Sequence, residues 1–159
     1  MGIEIERKFL VTGEAWRQPA ERQTRFSQGY LSRDPARTVR VRIAGERAFL
    51  TVKGATTGAS RAEFEYEVPL ADARQLLTLC DGPLVDKVRH LCVHEGMTWE
   101  VDEFLGANAG LVVAEIELQS EAQAFAQPAW LGAEVTGDAR YVNANLAVSP
   151  FSAWPVDRP

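Results

Sequence analysis

The chain has 159 residues, a length that fits one domain spanning residues 1–159. A net charge of -5 argues against broad binding to nucleic acid, and no stretch approaches the ~20 apolar residues of a membrane-spanning helix. The N-terminus lacks the basic start and long apolar run of a signal peptide. Only two cysteines are present, so a disulfide framework is not expected and a cytoplasmic location is predicted.

The first half of the chain alternates apolar and polar residues, with turn-forming residues between the alternating segments. Glycine, serine and threonine dominate residues 54–60, which predicts a mobile loop. Residues 44–46 contain the turn of a predicted hairpin. The predicted strands are Gly2–Val11, Gln23–Ser32, Thr38–Ile43, Ala48–Lys53 and Glu63–Pro69.

The pattern changes to a helical period at Leu70–Leu79, where Asp72 is a candidate N-cap. Three further strands, two helical segments and an irregular tail follow. They are strands Leu84–His94, Met97–Phe104 and Leu111–Gln119, helical segments Ser120–Ala126 and Asp138–Leu146, and tail Ser149–Pro159. Eight strands with few helices predict a mainly β (α+β) fold, with an antiparallel sheet that is closed or nearly closed.

Charged residues recur at every second position of most predicted strands, so that they share one face of each strand. They are Glu4, Glu6, Lys8, Arg40, Arg42, Lys53, Glu63, Glu65, Glu67, Lys87, Arg89, Glu100, Asp102, Glu115 and Glu117. A solvated outer sheet face is the simplest interpretation. However, the acids and bases lie on largely separate strands, and all three lysines of the chain fall on these stripes. These features favour a barrel with a charged interior.

A ligand that needs both signs of charge is a polyphosphate with a metal. A triphosphate carries about four to five negative charges and requires several Lys and Arg donors. Mg²⁺ prefers carboxylate oxygens, water and substrate phosphate. The candidate metal ligands are Glu4, Glu6, Asp102, Glu115 and Glu117, and the candidate phosphate ligands are Lys8, Arg40, Arg42, Lys53, Lys87 and Arg89.

The sequence resembles the CYTH family, also called triphosphate tunnel metalloenzymes. The run Glu4–Lys8 is the E-x-E-x-K pattern of that family, at the extreme N-terminus. Further matching segments follow in the family's order over nearly the whole chain: QGYLS, VRVRI, LTVKG, EFEYEV, DKVRH, WEVDEF and AEIEL. The similarity is greatest to short bacterial members, including those that hydrolyse inorganic triphosphate.

This resemblance implies an eight-stranded tunnel with a few covering helices, in which the substrate lies across the interior. Glu4 and Glu6 match the metal-binding acids of the motif, and the resemblance makes Asp102, Glu115 and Glu117 the acids that complete the metal sites. Lys8, Arg40, Arg42, Lys87 and Arg89 match phosphate-contacting positions. Lys53 matches a lysine that also helps to place the attacking water. With Lys53, we predict Glu6 and Glu117 to be catalytic. Glu63 and Glu65 either hold the arginines or contact metal-bound water.

Hydrolysis of inorganic triphosphate to pyrophosphate and phosphate, with Mg²⁺ or Mn²⁺, is the favoured function. An adenylate cyclase making cyclic AMP from ATP, a thiamine triphosphatase and a non-catalytic polyphosphate- or nucleotide-binding module remain alternatives. A zinc site at His90 and His94 is not expected, because no third His or Cys ligand lies nearby. Tyr30 is either a packing residue or a phenol that reaches the tunnel.

Overall fold

The computed structural model describes residues 2–155. Within them the chain forms nine strands and two α-helices. The strands are β1 (Ile3–Val11), β2 (Ala20–Ser32), β3 (Arg37–Ala44), β4 (Arg47–Gly54), β5 (Ser60–Val68), β6 (Asp81–His94), β7 (Met97–Phe104), β8 (Val112–Glu117) and β9 (Leu131–Glu134). The helices are α1 (Leu70–Thr78) and α2 (Asn143–Leu146). Short 3₁₀ turns lie at Ala15–Arg17, Gly106–Asn108, Ala139–Tyr141 and Phe151–Ala153.

The sheet closes into an eight-stranded antiparallel barrel, as predicted, with β9 as an additional strand. Its strand order is β5-β4-β3-β2-β6-β7-β8-β1-β9, and β1 also pairs with β5. The closing seam is short, because only Ile3, Glu4 and Ile5 of β1 pair with β5. Farther along β1, Phe9 pairs with both Ala114 of β8 and Glu134 of β9. The first strand of the chain therefore closes the barrel: Glu4 lies at that seam, and Glu6 and Lys8 follow where β1 pairs with β8.

Apolar side chains cover the outside of the barrel, which leaves the polar faces for its interior. One cluster on the outer face contains Phe9, Trp99 and Ile116 and is covered by Trp16 and Trp130. On the other side, Ala73 of α1 packs on Val41 and Ala48. Burial of the apolar outer faces stabilises the fold, although Phe64 and Tyr66 on the outer face of β5 stay exposed. Burying the charged side chains of the interior is unfavourable unless they have hydrogen-bond or ion-pair partners.

A third apolar cluster fills one end of the barrel interior. Tyr30, Val85, Phe104 and Val113 lie on the same strand faces as the charged residues but nearer this end, and they pack on Tyr141 and its neighbours after β9. The segment Ala139–Leu146 therefore covers one end of the tunnel. No helix within residues 2–155 is long and apolar enough to span a membrane.

Three details differ from the sequence prediction. Ser120–Ala126 is not helical: it contains a turn and then irregular backbone. Phe125 in this segment packs on Phe9 and Trp99, so tertiary contacts override a weak helical preference. Asp72 does not cap α1, which begins after the extended Pro69, and it lies in the first turn instead. The four-residue strand β9 was not predicted because its alternation is too short to read.

The remaining boundaries agree closely with the prediction. Both strands of the predicted hairpin β3–β4 and the helical segment after β5 are confirmed. The region Asp138–Leu146 is helical in two short pieces, a 3₁₀ turn and α2. The tail is irregular apart from the 3₁₀ turn at Phe151–Ala153, and residues 156–159 of the predicted tail lie outside the described residues.

Candidate active site

The charged stripes of the sequence meet inside the barrel. Strand alternation places one face of each strand from β1 to β8 toward the interior, where the two signs of charge come together. The most deeply buried polar residues of this lining are Glu4, Gln28, Arg40, Arg42, Thr51, Lys87, Asp102 and Glu115. Glu67 of the predicted stripes is exposed near the end of β5 and pairs with the exposed Arg47, so it does not contribute to this lining.

Asp102 is the central carboxylate of the basic half of the lining. Its side chain is fully buried, and Lys87 Nζ donates to Oδ2 at 2.7 Å. Arg89 donates from Nε to Oδ1 at 2.8 Å and from Nη2 to Oδ2 at 2.9 Å. Although burial opposes it, Arg89 and Lys87 hold the pKa of Asp102 below its ordinary value. Both oxygens of this predicted metal ligand are thus engaged by cations, and a metal at Asp102 would have to displace one of them.

The two cations beside Asp102 respond differently to burial. Burial lowers the pKa of Lys87 to about 7, in spite of Asp102. The pKa of Arg89 is raised, because Asp102 and Glu100 outweigh the effect of burial. Glu100 accepts a salt bridge from Arg89 Nη1 at 3.2 Å, and Glu115 lies 3.6 Å from Arg89 Nη2. Arg89 is therefore a fixed positive charge, whereas the charge on Lys87 depends on what surrounds it.

Lys53 lies on the acidic side, close to the barrel seam. Its Nζ contacts Glu4 at 3.1 Å and Glu63 at 3.3 Å. Glu4 belongs to the part of β1 that pairs with β5, so this ion pair ties the predicted water-placing lysine to the closure of the barrel. Of the two open assignments for Glu63, the structure shows contact with a basic residue, although that residue is a lysine.

Arg40 and Glu65 form the next pair along the tunnel. Arg40 Nη2 lies 3.5 Å from Glu65 Oε2, and Thr51 Oγ1 donates to the same oxygen at 2.9 Å. Glu65 is partly exposed while Arg40 is buried, so the pair lies at the edge of the lining. Glu65 therefore holds an arginine, which is one of its two predicted roles.

Arg42 and Lys8 differ from the other lining cations. Among the residues that the structure describes, neither has a carboxylate within ion-pair distance. Arg42 Nε donates to Gln28 Oε1 at 2.9 Å, and its guanidinium lies 4.6 Å from the centre of the Phe26 ring. Lys8 Nζ donates to the carbonyl oxygen of Tyr141 at 3.2 Å. Both cations are held by neutral acceptors and keep their charge available to an anion.

The pKa values of these two cations reflect that arrangement. Burial, with Arg40 and Arg89 nearby, lowers the pKa of Arg42 to about 9. Burial also disfavours the charged form of Lys8, but Glu115 and Glu6 outweigh it and raise its pKa. The surroundings of Arg42 are therefore short of negative charge, and a buried anion there would favour the charged form of its guanidinium.

The carboxylates of β1 and β8 lie close to one another, and Glu6 among them lacks enough nearby positive charge. Glu6 and Glu117 are paired across these strands, and Lys8 is paired with Glu115. Burial and the nearby Glu115 and Glu4 raise the pKa of Glu6 well above its ordinary value. Glu115 is the reverse case, because Lys8 and Arg89 outweigh burial and hold its pKa well below the ordinary value. The carboxyl of Glu6 thus lacks nearby positive charge, which a bound cation would supply.

The tunnel is accessible beside the hairpin that joins β6 and β7. A pocket there is lined by Gly96, Met97, Thr98, Glu100 and Glu117. Burial and Glu4 raise the pKa of Glu117, the most exposed of the predicted metal ligands. Within residues 2–155, no group of three or more His, Cys, Asp or Glu side chains has the spacing of a finished metal site. The acids instead form a crowded cluster that is open on one side.

Sequence reasoning missed several uncharged members of the lining. Gln28 and Thr51 are buried and bind Arg42 and Arg40 respectively, yet neither carries a charge that would mark the stripe. The sequence could have indicated them through alternation alone, because Gln28 lies two residues before Tyr30 and Thr51 lies two residues before Lys53. Asn143 contacts Lys87 from α2, outside the strands, and strand alternation cannot reveal it. Tyr30 proves to do both things considered for it: it packs in the end cluster, and its hydroxyl accepts from Gln28.

This chain is similar in sequence and in fold to inorganic triphosphatases. An inorganic triphosphatase of Acetivibrio thermocellus is 50% identical over 152 residues, covering 95% of this chain and 97% of the relative. An inorganic triphosphatase of Nitrosomonas europaea is 37% identical over 155 residues, covering 92% and 97%. The crystal structure of an inorganic triphosphatase, 36% identical, superposes with a TM-score of 0.66 over 92% of this chain and 95% of the other.

The family resemblance seen in the sequence is also confirmed by a direct match. The family profile of the CYTH domain matches residues 2–146, a range that includes the complete barrel and its charged lining. With that match and relatives at 50% and 37% identity, the chain belongs to the CYTH domain family.

Proposed function

We propose that this protein hydrolyses inorganic triphosphate to pyrophosphate and phosphate inside its tunnel. The observation that carries the proposal is the buried basic half of the lining. Arg42 and Lys8 have no carboxylate partner in the part of the chain that the structure describes, and neutral acceptors hold both in place. Arg42 is the buried one of the two; a buried cation without a partner is costly, and a polyanion that enters the tunnel would lower that cost. The two relatives above are named inorganic triphosphatases, which points the same way.

In this proposal the phosphate groups bind to the six basic side chains of the lining. Lys87 and Arg89 lie on β6, and Arg40 and Arg42 lie on β3, with β2 between the two strands. Lys8 reaches the same region from β1. A phosphate oxygen that contacts Lys87 would favour the charged form of this lysine. The charged lysine would in turn bind the phosphate more strongly.

A divalent cation forms part of the proposal, since members of this family depend on a metal. The chemistry of the donors fits one: burial and the neighbouring Glu115 and Glu4 raise the pKa of Glu6, and a cation bound among these carboxylates would offset that repulsion. We propose Glu4, Glu6, Glu115 and Glu117 as ligands, with Asp102 joining them if its contacts to Lys87 and Arg89 are exchanged. Mg²⁺ or Mn²⁺ suits carboxylate oxygens and would supply charge neutralisation at the phosphates.

The remaining requirement is to place a water molecule against a terminal phosphate. We assign this role to Lys53, which Glu4 and Glu63 fix at the acidic side of the lining. Catalysis of phosphoryl transfer consists largely of positioning and charge stabilisation, so a fixed donor near the terminal phosphate suffices. Glu6 and Glu117 act with it, because their charge determines where a cation and its water ligands would lie.

A substrate panel tests the proposal. Phosphate release and cyclic AMP formation are measured with inorganic triphosphate, ATP and thiamine triphosphate, each with Mg²⁺ and with Mn²⁺. We expect the highest kcat/KM with inorganic triphosphate, because the lining offers several charged donors to phosphate groups. A preference for ATP with cyclic AMP as product would instead establish the cyclase alternative.

A cytoplasmic location is also proposed, supported by Cys80 and Cys92, which are both free thiols.

A further inference from the structure

Two uncharged side chains link the basic residues of the tunnel to the segment that covers its end. Asn143 is the first residue of α2, and its Oδ1 accepts from Lys87 Nζ at 2.9 Å and from Gln28 Nε2 at 3.3 Å. Gln28 Oε1 in turn accepts from Arg42 Nε at 2.9 Å. One chain of hydrogen bonds therefore connects α2 to a cation on β6 and to a cation on β3.

The same covering segment also reaches Lys8. The carbonyl oxygen of Tyr141 accepts from Lys8 Nζ at 3.2 Å, two residues before Asn143. Residues 141–143 thus supply acceptors to two lysines on opposite parts of the barrel. Their contacts lie next to the apolar cluster of Tyr141 and Leu146, which fixes the segment against the barrel end.

The chemical type of these acceptors matters more than their number. A carboxylate would orient a buried cation but would also offset its charge, as Asp102 does for both Arg89 and Lys87. A carboxamide or a carbonyl accepts the same hydrogen bond and adds no charge. Lys87 has three N–H donors, and Asp102 and Asn143 occupy two of them, which leaves one for another ligand.

We propose that Asn143 and Gln28 are positioning residues that orient Lys87 and Arg42 toward the triphosphate without adding negative charge beside them. This inference rests on the proposed function of the tunnel. It assigns to the covering segment a role beyond closing the barrel end, since α2 sets the direction of a cation that would bind phosphate. An aspartate at position 143 would still accept the hydrogen bond from Lys87, but its negative charge would repel the phosphate groups.

The test compares Asn143→Ala, Asn143→Asp and a matched control, Asn145→Ala. Asn145 lies in the same helix, but its side chain donates to the carbonyl oxygen of Ala139 and does not reach the lining. Each protein is titrated with inorganic triphosphate by calorimetry without metal, and kcat and KM are then measured with Mg²⁺. The melting temperature of each variant reports its effect on folding.

We expect Asn143→Ala to weaken metal-free binding on the order of tenfold, the value of one lost hydrogen bond to a charged group. Asn143→Asp should weaken binding further, although it retains an acceptor and should melt at or above the temperature of Asn143→Ala. KM should rise in the same order, with a smaller change in kcat. The control should bind triphosphate as the unmodified protein does.

Two results would overturn the inference: wild-type affinity in Asn143→Asp, or a loss in Asn143→Ala no greater than in Asn145→Ala. Either would show that Asn143 serves the fold alone, while turnover of triphosphate by the unmodified protein would leave the proposed function intact. If the unmodified protein binds triphosphate but prefers ATP as substrate, the proposed reaction is wrong. The order of triphosphate affinities among the unmodified protein and the Asn143 variants then still decides the role of Asn143. Absence of any triphosphate binding would contradict both proposals.

Discussion

Asp102→Asn should reveal how strongly the empty tunnel depends on its central carboxylate. The substitution preserves shape, but it removes the one charge that faces both Lys87 and Arg89 through three hydrogen bonds of 2.7, 2.8 and 2.9 Å. Removing one partner of a buried ion pair costs about 3–5 kcal/mol, because the remaining charge stays buried without compensation. At about 2–4 °C for each kcal/mol in a domain of this size, the melting temperature should fall by roughly 6–20 °C.

Urea unfolding of the metal-free protein at neutral pH measures the loss directly, and Glu100→Gln is the matched control. Glu100 also pairs with Arg89, but its side chain is 35% exposed, so this variant should lose less than about 1 kcal/mol. Inorganic triphosphate should raise the melting temperature of Asp102→Asn more than that of the unmodified protein, because phosphate supplies the missing negative charge. Equal losses in the two variants would refute the idea that Asp102 holds the basic half together.

Two further predictions concern the acidic and basic halves separately. Since burial and Glu115 raise the pKa of Glu6 above 4.5, the folded metal-free protein holds this proton more tightly than the unfolded chain does. The free energy of unfolding should therefore fall as pH rises above about 4.5. In Glu6→Gln, the part of this fall that comes from deprotonation of Glu6 should be absent. Unfolding of both proteins in EDTA at several pH values measures the difference. Arg40→Ala should weaken metal-free triphosphate binding roughly ten- to a hundredfold by calorimetry, whereas the exposed Arg47→Ala should not. A pH-independent gain in Glu6→Gln, or equal affinities for the two arginine variants, would contradict these expectations.

Strand alternation accounts for the success of the sequence analysis in locating the lining. A period of two assigns each side chain to one face, so the stripes that include Arg40, Lys87 and Glu115 are visible in the amino-acid sequence itself. The separation of charges by strand then indicates that these faces meet. All three side chains are buried inside the barrel, as that interpretation requires.

The pairings within the lining could not be read in the same way. The sequence does not show that Asp102 lies against Lys87 and Arg89 rather than beside other acids, because that depends on the register between β6 and β7. Asn143 and Gln28 escaped notice for a different reason: they are uncharged, and Asn143 comes from a short helix whose position depends on tertiary packing. The segment Ser120–Ala126 shows the same limit, since packing of Phe125 decided its conformation.

The lysines provide the most direct test that the charged stripes face a tunnel which binds triphosphate. The chain contains only Lys8, Lys53 and Lys87, and all three lie on the lining, so amine acylation followed by peptide mass spectrometry reports on the interior. We predict slow modification of all three in the folded protein, and slower modification still with inorganic triphosphate bound. Rapid modification of all three that triphosphate does not change would contradict the account.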